Sequence, residues 1–262
     1  MKRLLALIAF AVASPAAAER ITTFWKLEPV TPTGARTVDA REPLLVEKML
    51  PVRLVRLREP AVPAGSDKAV PAGAMLYLVV NSAGATGFCT LKDRSSGHQA
   101  KTLFIPVADQ RPCFVDRDGD GRFDASFSAF EPYTRLSPPQ ARGSVDAAQP
   151  LAVKAAYEPV DIHEFTVPLT ISYRLILRST LAKSWLRATV DRPGHSDEVD
   201  IVGTAAAGGV RFAALGALVT VRSADKEKAD VQVLVAPAGY VYGNGSRTVF
   251  VPSLPHLPAL RD

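Results

Sequence analysis

Along most of this chain apolar and polar residues alternate, the period of a strand with one face buried and the other wet. In LTISYRLILRS, Leu169, Ile171, Tyr173, Leu175 and Leu177 fall on one side and Thr170, Ser172, Arg174 and Arg178 on the other, with Ile176 alone out of step. MLYLVV, KTLFIPV, FDASFSAF, WLRATV, VTVRS, VQVLV and TVFVP repeat the pattern, rich in β-branched and aromatic residues and bounded by Gly, Pro, Asn or Asp. Strands this short and frequent predict an all-β chain of one or two sandwich or barrel-like domains with little helix. Only Leu44 to Leu50, LLVEKML, and Thr204 to Leu218 admit a turn or two of helix.

The punctuation agrees with that reading. VTVRSADKEKADVQVLV is a strand, a charged tip and a second strand, and GYVYGNGSRTVFVP centres on Asn244-Gly245, a pair that accepts positive φ and suits a hairpin. AVPAG at Ala61 and again at Ala69, with a relative at Ala236, sets Pro and Gly where a chain turns before entering a strand. Arg135 to Pro150, RLSPPQARGSVDAAQP, combines prolines and Gly-Ser with few apolar residues. It reads as a linker, or as a long crossover loop within one sandwich. Taken as a linker over 141–150, it separates an N-terminal β domain, 19–140, from a C-terminal β domain, 151–262.

The first 18 residues read differently. Lys2 and Arg3 precede an apolar run from Leu4 to Ala13, and Ala16-Ala17-Ala18 offers an A-x-A site, so residues 1–18 form a signal peptide cleaved before Glu19. About ten apolar residues are too few to cross a bilayer core, which takes about twenty. Without Lys2 and Arg3 the formal charge of +5 becomes +3, too little to imply a nucleic-acid partner. Arg53, Arg56 and Arg58 in PVRLVRLRE suit the wet face of a strand. Hydrophobic residues at 47% against 22% charged exclude a disordered chain. The expected address is the periplasm or the extracellular medium. There the two cysteines, Cys89 and Cys113, read as a disulfide rather than as free thiols or a metal pair. Closing a loop of about 25 residues contributes roughly 3.5 kcal/mol through the unfolded state.

Candidate chemistry concentrates in CFVDRDGDGRFD, Cys113 to Asp124. Asp116, Asp118 and Asp120 alternate, so a loop curled around a point brings three carboxylates together. Gly121 supplies the bend, and the carbonyl of Arg122 falls where a backbone oxygen is wanted. Without a cation these charges repel. The stretch resembles the calcium loop of EF-hand proteins and the D-x-D-x-D-G loops of dockerins and thrombospondin type 3 repeats. That resemblance gives Asp116, Asp118 and Asp120 the first, third and fifth ligand positions, Arg122 the carbonyl position, Phe123 a packing position and Asp124 the ninth. The twelfth position, Glu in an EF-hand, is Phe127, so a further ligand comes from water, Glu131 or Asp93. The implied calcium site is weak, in the extracellular range.

FVDRDGD also resembles the opening of haloacid-dehalogenase-type phosphatases, which implies Asp116 as nucleophile and Asp118 as general acid on a parallel α/β sheet. The period-two pattern speaks against that sheet. G-x-S-x-G, H-E-x-x-H, C-x-x-C and P-loop motifs are absent. Asp161, His163 and Glu164 in EPVDIHEF are candidate metal ligands or, more simply, solvated loop residues. The expectation is a non-enzymatic envelope protein, stabilised by calcium and a disulfide, that binds an envelope protein or glycan. The alternative is a secreted hydrolase. A concave cluster of Ser, His and carboxylates would favour the hydrolase, and an exposed aromatic patch around Tyr240 and Tyr242 the binding protein.

Overall fold

The structure, a computed structural model, describes residues 20–90, 109–131, 141–142, 144–192, 195–235, 239–244 and 247–253. The signal peptide expected at 1–18 and the strand expected at KTLFIPV lie outside the described residues. Every pairing between described strands is antiparallel. The parallel sheet that a dehalogenase-type site needs is therefore not what these strands build.

Six strands close a ring. These are β5 (Leu54–Leu57), β6 (Met75–Val80), β7 (Thr86–Thr90), β8 (Asp109–Val115), β9 (Arg122–Glu131) and β11 (Gln149–Val160). Each pairs with the next, and β11 pairs back onto β5. Alternation then assigns the two faces. Leu76, Leu78, Phe88, Phe114 and Phe123 fill the interior, while Tyr77, Val79, Cys89 and Cys113 point out of the ring into a second core. Two short strands, β1 (Arg20–Ile21) and β10 (Ala141–Arg142), pair with each other, and β10 extends β9 beyond the ring.

The second core lies between two sheets. One runs in the order β14 (His195–Val202), β13 (Trp185–Arg192), β12 (Thr170–Ile176), β4 (Leu45–Pro51), β2 (Phe24–Pro29), β19 (Tyr240–Asn244), β20 (Arg247–Val251). The other runs β15 (Thr204–Ala206), β16 (Gly209–Ala214), β17 (Ala217–Ala224), β18 (Lys228–Val235), β3 (Gly34–Asp39). Trp25, Met49, Ile171 and Leu186 from the first sheet share a core with Phe212, Val219 and Val231 from the second. Trp25 also meets Tyr77 of the barrel, ring centroids 5.3 Å apart.

The chain thus begins the sandwich with β2 to β4, makes the barrel from β5 to β11, and returns to the sandwich at β12. The division expected at 141–150 does not fall between sheets: Ala141–Arg142 is β10, Gln149 opens β11, and β4–β12 and β3–β18 pair across it. Of the described residues in this stretch, Ser144 to Ala148 lie between β10 and β11, with Val145 and Ala148 buried.

The helical turns admitted at 44–50 and 204–218 are strands, β4 and the run from β15 into β17. Helix is confined to two 3-10 turns, Ile162–Glu164 and Leu181–Lys183, among the described residues. Both expected hairpins are present. β17 pairs with β18, and β19 with β20 down to Asn244 opposite Arg247.

Candidate metal centre

The aspartate stretch is the tip of the β8–β9 hairpin, whose last strand pair is Val115 with Ala125. The backbone reverses there because Gly119 and Gly121 take φ of 71° and 81°, a region costly for residues bearing a Cβ. Asp116 organises the reversal. One of its carboxylate oxygens accepts from the Gly119 amide at 2.7 Å, and the other accepts from the Gly121 amide at 3.0 Å and from the Tyr157 hydroxyl at 2.9 Å. Asp120 accepts from the Arg122 amide at 2.9 Å. One oxygen each from Asp116, Asp118 and Asp120 lies within 4.8 Å of the other two, so the expected convergence is present. Among the described residues this is the one group of three such side chains able to hold a metal ion.

Two further residues belong to the expected set. Asp124 accepts from the Arg117 amide at 3.2 Å through one oxygen, while its other oxygen is buried without a hydrogen-bond partner. The expected role of Arg122 rests on its backbone carbonyl; its guanidinium donates to Glu59 and, at 3.1 Å, to the Lys154 carbonyl. Phe123 packs as expected. It is fully buried in the barrel, stacked on Tyr157 with centroids 4.2 Å apart. Glu131 ends β9 opposite Asp109, at the other end of a ten-residue strand from the tip, and Asp93 lies outside the described residues.

The sequence gives no local sign of Lys154. Its ammonium donates to Asp118 at 2.6 Å and to Asp120 at 2.7 Å, a tethered cation between two of the three carboxylates. These hydrogen bonds hold the lysine above its ordinary pKa, and the same bond holds Asp118 below the usual carboxylate range. Tyr157 is pushed up, first by burial and then by its hydrogen bond to the Asp116 carboxylate. Lys154, Tyr157 and Glu59 arrive through the pairing of β9 with β11 and β11 with β5, from positions remote in sequence.

As a donor set the tip is all oxygen, which suits a hard cation and not a thiolate- or imidazole-seeking one. The residues fit such an ion. Three carboxylates already converge, an orphaned Asp124 oxygen lies on the neighbouring strand, and a positive charge is already accommodated between two of the acids. A divalent ion bound there would take over the charge-balancing role of the Lys154 ammonium.

The other candidates are surface residues. Asp161 caps the 3-10 turn through the His163 amide, Glu164 pairs with Arg56, and His163 stands 3.7 Å from Glu28. Tyr242 packs its ring on Phe24, centroids 5.4 Å apart, and both it and Tyr240 are half-buried, so no exposed aromatic patch forms from them. Cys89 and Cys113 form the expected disulfide between cross-strand neighbours on β7 and β8, which fits an oxidising compartment. No helix among the described residues is long and apolar enough to cross a membrane. Searches of protein-family models, curated proteins and solved structures match nothing to this chain.

Proposed function

We propose that this chain is an exported envelope protein, periplasmic or secreted, that carries out no catalysis. It acts in binding or assembly with an envelope protein or glycan, on a β scaffold fastened by the Cys89–Cys113 disulfide and by a weakly held calcium ion. The ion's ligands are the side chains of Asp116, Asp118, Asp120 and Asp124 and the carbonyl of Arg122. One observation carries the metal reading: three carboxylates converge within 4.8 Å at a hairpin tip three residues beyond a disulfide cysteine, so bridge and ion would pin one strand from adjacent points. The leader-like first 18 residues support export.

Calorimetric titration of calcium into chelator-treated mature protein tests the site. Binding heat is expected for the wild type and none for Asp118→Ala; equal heats from both would remove the ion from the proposal. A thermal-shift panel with peptidoglycan fragments and oligosaccharides tests the binding role, since a ligand that prefers the native form raises Tm.

A further inference from the structure

Among the described residues only two ionisable side chains of Asp, Glu, Lys or Arg type are fully buried, Arg111 and Glu47. Arg111 donates to the Tyr77 hydroxyl. Glu47 has no such donor. It sits on β4 between in-facing Leu45 and Met49, opposite Ile171 on β12 and Pro29 on β2, fully buried, with neither carboxyl oxygen in a hydrogen bond. Tyr173 acts on it from β12, its own hydroxyl buried and without the geometry of a closed hydrogen bond.

Among the described residues no cation answers it. The buried positions of β2, β13, β16, β17 and β18 are apolar. From β3 of the facing sheet Arg36 reaches inward, but its two amino groups donate to the carbonyls of Pro32 and Leu44. The 3-10 turn leaning on β4 carries Asp161, His163 and Glu164, all exposed, with Glu164 paired to Arg56 and His163 beside Glu28. On β4 itself Lys48 belongs to the opposite face.

We infer that Glu47 is folded into the sandwich as the neutral acid, and that losing its proton to solvent works against the packing of β4 on β12, making the sandwich a device that is stiffer in acid than at neutral pH. A carboxylate sealed between apolar sheets without counter-charge, and with only the Tyr173 hydroxyl near it, is far costlier than the protonated group. Burial accordingly raises Glu47 from its usual 4.5 to about 7, more than the Tyr173 hydroxyl lowers it. Because the folded value exceeds the unfolded one, the folded state holds the proton more tightly. The stabilisation is complete below pH 4.5 and is lost as pH rises through about 7.

The test compares the full chain with Glu47→Gln, an uncharged near-isostere, by urea unfolding across that range. Groups elsewhere titrate in both proteins and cancel in the ratio of their folding constants. The expected ratio, wild type over variant, falls about tenfold per pH unit between the two values and levels off above them. A ratio independent of pH, or one that rises with pH because Glu47 is a paired carboxylate, overturns the inference. Should Glu47→Gln fail to fold, carboxyl-detected NMR of the wild type decides: one glutamate carboxyl titrating near 7 supports the inference, and none above the ordinary range overturns it.

Discussion

Lys154 and the acids it bridges decide how the hairpin tip answers to salt and to calcium. Its side chain is 39% exposed, so its bonds to Asp118 and Asp120 are screened by solvent and salt and act more through position than through strength. Lys154→Met is expected to lower the Tm of calcium-free protein at low ionic strength, by an amount that shrinks as salt is added. It is also expected to tighten calcium binding, because the tethered competitor is gone; thermal scans and calorimetry on one preparation check both. The acids were legible in the sequence because a loop binds through residues that are neighbours in the chain. Lys154 was not, because nothing in AVKAAYEPV marks one lysine of a strand for a partner set by pairing with β9.

At the scale of elements, β9 joins the tip to the barrel core. Asp124 and Phe123 are consecutive, and Phe123 stacks between Phe114, at 5.5 Å, and Tyr157, whose hydroxyl holds Asp116. Phe123→Ala is expected to cost about 3–5 kcal/mol of stability, measured by urea unfolding. Two stretches that admit helix in the sequence are strands, for different reasons. In LLVEKML the acid at an inward position hides the alternation, leaving apolar residues spaced like a helix face; burial of Leu45, Glu47 and Met49 is what makes it a strand. Thr204 to Leu218 is alanine-rich and turns twice. Gly209, at φ 151°, stands where an added Cβ would lie 2.1 Å from the Val221 carbonyl oxygen. Gly209→Ala is therefore expected to destabilise the protein by more than about 1 kcal/mol in the same measurement.

At the scale of the molecule, the partition of strands between barrel and sandwich was not legible, because it rests on pairings such as β4 with β12 that bridge the whole barrel in sequence. Local periodicity specifies strands and faces, not partners. The disulfide lies where the two bodies share a core, with both cysteines fully buried. Cys89→Ala with Cys113→Ala is expected to cost about 2–5 kcal/mol, read from the guanidinium midpoint. Both tryptophans, Trp25 and Trp185, belong to sandwich strands, so their fluorescence follows that body during unfolding.

The pairing of β2 with β19 places the start of the described chain against its end. The ring closes within the consecutive strands from β5 to β11, whereas the flank of β2 takes its neighbour from β19, so the sandwich draws together strands from either side of the barrel in the chain.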